Sequence, residues 1–178
     1  TIIGNPNPDF TYGFSTMFRW RGLTFSASFE GSYGNDLINA NLAQESSVLK
    51  RSKGISQTNI RKEYFYNAWT PENPNNKYPA LNSYSVDEIR LFTDRFVEDA
   101  SYLRISNVSL NYDVPLPLNK FLKGLSVGIS GNNLYVFTKY SGWDPDVNSY
   151  GKNLQKVGID LGSYPTARTY SFDLRLTF

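Results

Sequence analysis

The chain has 178 residues, a formal net charge of +2, no Cys and no His. Without Cys there are no disulfides, thiolate zinc sites or Cys nucleophiles; without His the usual general base and transition-metal ligand are gone; and the balanced charge argues against a nucleic-acid footprint. Aromatic residues make up 16% of the chain while mean hydropathy is only −0.43, so the rings sit in an otherwise polar sequence, and no apolar run approaches the ~18 residues of a membrane helix.

The first nine residues, Thr1 to Asp9, form a Pro/Asn turn-rich loop with neither the basic nor the apolar region of a signal peptide. Strict alternation then predicts a strand near 10–20, with Phe10, Tyr12, Phe14, Phe18 and Trp20 on one face and Arg19 on the other. Arg21-Gly22 reads as a tight turn. A second strand near 23–33 places Leu23, Phe25, Ala27, Phe29 and Tyr33 on its apolar face and Glu30 opposite.

A long polar stretch, 34–99, follows. Residues 37–66 allow a short helix, Trp69 to Asn76 is turn chemistry, and Ser85-Val86-Asp87-Glu88 resembles a capping box that would open a helical turn over 86–92. The third strand, near 100–114, shows Tyr102, Val108, Leu110, Tyr112 and Val114 on one face, interrupted by Arg104 and Ser106. Pro115 to Leu118 ends it. The fourth strand, near 125–139, aligns Leu125, Val127, Ile129, Tyr135 and Phe137. A second long loop spans 140–165. The fifth strand, near 166–178, sets Tyr170, Phe172, Leu174, Leu176 and Phe178 against Thr169, Ser171, Asp173, Arg175 and Thr177.

Alternation alone fits a soluble carbohydrate-binding β-sandwich as well as a membrane barrel. Three features favour the barrel. Short turns alternate with long loops, each strand has the ~9–11 residues needed to cross a bilayer, and rings concentrate near strand ends as in interfacial girdles. Phe14, Phe18, Phe25, Phe29, Leu110, Ile129, Phe172 and Leu174 are then expected to face lipid, and Arg19, Glu30, Asp173 and Arg175 the lumen. Five strands are too few to close a barrel, and open edges in hydrocarbon leave backbone groups unpaired. The expected fold is therefore all-β: five antiparallel transmembrane strands forming the C-terminal part of a large outer-membrane barrel, or one of several chains that complete it, with two long extracellular loops at 34–99 and 140–165.

Gly4 to Phe10, Trp69 to Asn75, Arg95 to Leu110, Gly131 to Tyr135 with Thr138 to Asn148, and Gly158 to Tyr170 resemble, in order, motifs of the SusC/RagA family of TonB-linked outer-membrane proteins. The resemblance implies a plugged barrel of about 22 strands. It also implies a Gram-negative outer membrane, in the Bacteroidetes, and nutrient uptake driven by TonB. A SusD-like surface lipoprotein would serve as partner, and glycans or peptides as cargo. The plug and TonB-contacting region would lie upstream.

Candidate contacts to cargo or partner are the loop aromatics Trp69, Tyr78, Tyr140, Trp143 and Tyr164, which can equally pin the loops to one another. Asp144-Pro145-Asp146-Val147-Asn148 has the alternating oxygens of a calcium loop but lacks its Gly and distal Glu, and reads as a turn. No catalytic constellation is present and no cofactor is implied. A barrel without transport is the remaining alternative.

Overall fold

The computed structural model describes residues 2–45, 60–74, 76–81, 93–115, 121–147, 149 and 157–178. Five long strands form one sheet: β1 (Phe10–Trp20), β2 (Leu23–Tyr33), β5 (Tyr102–Val114), β6 (Gly124–Thr138) and β8 (Thr169–Thr177). They lie side by side in chain order, every neighbouring pair antiparallel. Three short strands, β3 (Asp36–Asn39), β4 (Val97–Asp99) and β7 (Ile159–Asp160), make a second sheet in the order β4-β3-β7. Two short helices, α1 (Ala40–Glu45) and α2 (Lys62–Tyr66), lie in the first long loop. The expected helical turn over 86–92 and the prolyl turn at 116–118 lie outside the described residues.

The β1–β2 hairpin follows from its turn. Arg21 and Gly22 both take positive φ, 45° and 84°, as a two-residue connection requires if it is to match the right-handed twist of its strands. Register then runs from Trp20 opposite Leu23 to Phe10 opposite Tyr33. That pairing puts the rings on one side. Phe14 stacks on Phe29 with centroids 4.5 Å apart, and Phe10 on Tyr33 at 5.3 Å.

Each apolar side chain continues in register across the sheet. One row reads Phe18, Phe25, Leu110, Ile129, Phe172; the next reads Trp20, Leu23, Tyr112, Val127, Leu174. This face is bare: Phe18 is 61% exposed, Ile129 56% and Phe172 69%. The opposite face is a polar ladder. Ser15 hydrogen-bonds Ser28 at 3.0 Å, Ser26 bonds Ser109 at 2.6 Å, and Asn107 donates to Asn132, which donates to Thr169. A soluble sandwich would cover the apolar face with a second sheet. Among the described residues nothing covers it, and the fold is an open sheet whose edges are β1 and β8.

β5 departs from the expected alternation. Phe29 pairs with Ile105 but Ser28 with Asn107, so Ser106 is an extra residue, a β-bulge. One extra residue inverts the parity of everything beyond it. Above the bulge Leu103 and Ile105 join the apolar face, opposite Phe137 and Tyr135, while Tyr102 and Arg104 move to the polar face. Grouping Tyr102 with Val108 and Leu110 is therefore incorrect, and the apparent interruption at Arg104 and Ser106 is the bulge itself.

Candidate functional site

The described parts of both long loops and the N-terminal segment gather at one end of the sheet. Asp36 opens β3 by donating its N–H to the carbonyl of Asn5, and Ile38 donates to the carbonyl of Gly158, which seats β7 alongside β3. The small apolar core here is Leu37, Ala100 and Tyr140, with Val147 packed against it.

Several buried groups at this end are polar. Asn39 accepts from the N–H of Leu42, capping α1, and its amide donates to Glu98 at 3.1 Å and Ser141 at 3.2 Å. Ser141 gives both its N–H and its hydroxyl to Glu98, each at 2.7 Å. Asp160 is 1% exposed; it accepts from Tyr140 at 2.7 Å and from the N–H groups of Gly162 and Ser163. Burial, then the Asp160 carboxylate, pushes the Tyr140 hydroxyl above its usual value. Hydrogen bonds from Ser101 hold Asp99 below the usual carboxylate range.

The densest charge cluster surrounds Arg104. Turned to the polar face by the bulge, its side chain is 5% exposed and meets Asp144 at 2.7 Å, Asp146 at 3.2 Å and Glu30 at 3.6 Å. Asp144 also accepts from the N–H groups of Asp146 and Thr166. Asp144 to Val147 is thus a turn locked to the sheet by an ion pair. Among the described residues no group of three or more His, Cys, Asp or Glu is placed to hold a metal ion.

The four charges expected on one face do share it. Arg19, Asp173 and Arg175 line a polar recess of about 540 Å³ with Thr24, Asn111 and Asp113, and Glu30 stands further along the same face beside Arg104. The loop aromatics separate into three kinds. Trp69 and Tyr78 are joined by a hydrogen bond from the Trp69 N–H to the Tyr78 carbonyl at 2.7 Å. Tyr78 packs on Tyr64 with centroids 4.1 Å apart and donates to Glu63, which holds that carboxyl below its usual range. Tyr140 is interior, so its ring pins the loops and offers no open face to a ligand. Trp143 and Tyr164 stand free, 77% and 94% exposed. Sequence reading overlooked Arg104, Asn39 and Asp160; the one signal for Arg104 was a lone cation breaking an apolar face.

No protein-family model matches the chain. The TonB-dependent receptor P3 of Formosa agariphila is 36% identical over 183 residues, which span 99% of this chain and 17% of that receptor. The TonB-dependent receptor SusC of Bacteroides thetaiotaomicron is 27% identical over 99% of the chain and 16% of SusC. Among solved structures, the RagAB peptide importer matches 99% of the chain and 18% of its own at 28% identity, with TM-scores of 0.81 in its 'closed-closed' state and 0.78 in its 'open-open' state. The chain spans under a fifth of the length of these relatives. In sequence and in fold it is similar to a C-terminal segment of the barrels of SusC/RagA-like TonB-dependent receptors.

Proposed function

We propose that this chain is part of the wall and outer rim of a TonB-dependent outer-membrane transporter that imports glycans or peptides together with a SusD-like surface lipoprotein. The observation that carries the reading is the two-faced sheet: bare rings on one side, a continuous polar ladder on the other, with both edges open for further strands. That is what a barrel wall between lipid and an aqueous lumen requires. Similarity over 99% of this chain to TonB-dependent receptors, and to a solved peptide importer, supports transport over a structural barrel. The bare apolar face argues against a soluble sugar-binding sandwich.

In this reading the aromatic face meets lipid. Arg19, Glu30, Asp173 and Arg175 meet the lumen, and the loops 34–99 and 140–165 lie outside the cell. Trp143 and Tyr164, with Trp69 and Tyr78, are the rings available to cargo or to the lipoprotein. The polypeptide is not an enzyme, and the plug and TonB-contacting region lie elsewhere in the complete receptor.

The test uses the complete receptor in its native host. Uptake of the oligosaccharide or peptide that supports growth should collapse when either the receptor or TonB is removed, and the receptor should co-purify with a surface lipoprotein in detergent. In the same cells a cysteine at Glu72 should react with a membrane-impermeant thiol reagent, and one at Lys123 should not. Uptake independent of TonB, or reversed labelling, would overturn the proposal.

A further inference from the structure

We infer that Arg104 is a positioning residue that fastens the two described ends of the second long loop, Asp144 to Val147 and Thr166, to the polar face of the sheet, making those ends a fixed part of the rim and not a hinge. The inference uses the barrel reading only to say where the loop stands. The fastening itself follows from the contacts.

Arg104 holds the loop at both of its ends. Its guanidinium donates to Asp144 and Asp146, where the loop leaves β6. Asp144 in turn accepts from the N–H of Thr166, where the chain re-enters β8. Residues 22 positions apart thus hang on one strand side chain, and Glu30 ties in the neighbouring strand at 3.6 Å. The bulge at Ser106 serves this arrangement. Were Ser106 part of the regular alternation and not bulged out of it, Arg104 would point to the apolar face, where a guanidinium has no partner.

Charge makes the fastening specific. Asp144 is as deeply buried as Arg104, at 5%, whereas Glu30 and Asp146 are half exposed. Water can compensate the second pair but not Asp144. Loss of the guanidinium leaves a buried anion whose only route to water is for the loop to lift. A second clamp, Glu98 on Ser141, joins this loop to the first. Trp143 is thereby held at a set place beside the wall.

The experiment is a spin-label distance between Trp143→Cys and Thr11→Cys in the complete receptor, in outer membranes, with other cysteines removed. With Arg104 present the distance should be single and narrow. Arg104→Gln should abolish the narrow distance and give a broad, longer distribution, while Arg104→Lys should restore part of the narrow component. If Arg104→Gln fails to reach the membrane, Asp144→Asn, which removes the buried charge and keeps the side chain's shape, carries the same expectation. A narrow, unchanged distance in whichever variant assembles would overturn the inference, even if less receptor is made. The measurement needs neither cargo nor TonB, so its failure and that of the transport reading are distinguishable.

Discussion

The end of the sheet that carries the loops is held by buried polar residues, chief among them Asn39, Arg104, Asp144 and Asp160. Asn39 and Asp160 are its largest fully buried side chains, and each of their oxygens faces a donor. Such groups stabilise only while every partner is present; orphaning one costs about 1–3 kcal/mol. Breaking a buried ion pair such as Arg104–Asp144 costs about 3–5 kcal/mol. Tyr140 adds a pH dependence. Its folded-state pKa lies above the ordinary tyrosine value of 10.0, so the neutral phenol favours the folded loops. That stability is fully present below pH 10 and is lost as pH rises above it. Trp143 fluorescence in detergent-purified receptor should report loosening of the loops above that pH. Tyr140→Phe should remove the alkaline dependence and weaken the loops at neutral pH by about 1–3 kcal/mol, through the unmet Asp160 oxygen. An unchanged alkaline transition in Tyr140→Phe would show that another group is responsible.

At the scale of elements, legibility depended on unbroken parity. β1, β2, β6 and β8 can be read from sequence because their apolar residues keep one face from end to end. β5 cannot be read above Ser106, since a bulge has no residue signature and a one-residue insertion reverses every later side chain. The short strands β3, β4 and β7 have four, three and two residues, too few for periodicity, and β3 pairs with β7 across more than a hundred positions. The site was legible in part for the same reason. Arg19, Asp173 and Arg175 follow from parity, whereas the partnership of Arg104 with Asp144 depends on the bulge. Deleting Ser106 should therefore be tolerated about as well as Ser106→Ala, because without the extra residue Asn107 still pairs with Ser28, Ile105 with Phe29 and Arg104 with Glu30 in an unbroken ladder. Heat-modifiable folded receptor in the outer membrane should stay near the wild-type amount in both variants. A strong loss on deletion alone would show that the extra residue does more than set which face Arg104 takes.

At the scale of the whole molecule, five strands with two open edges are not a finished structure. β1 and β8 each present a row of backbone donors and acceptors, and in hydrocarbon each unmet group costs several kcal/mol. The segment is therefore stable in a membrane only as part of a longer wall, in keeping with its share of the relatives' length. The central claim is that the ring-bearing face meets lipid and the polar ladder does not. Adjacent positions on β8 test it most directly, because they differ in facing and in little else: Phe172 pairs with Ile129, and Ser171 with Ser130. A lysine near the midplane of a barrel's lipid face costs about 2–4 kcal/mol, a large part of the ~5–15 kcal/mol that typically holds a domain together. The measurement is the fraction of complete receptor recovered as folded, heat-modifiable barrel in the outer membrane. Phe172→Lys should lower it sharply and Ser171→Lys should leave it near the wild-type value; equal tolerance of the two, or the reverse order, would contradict the account.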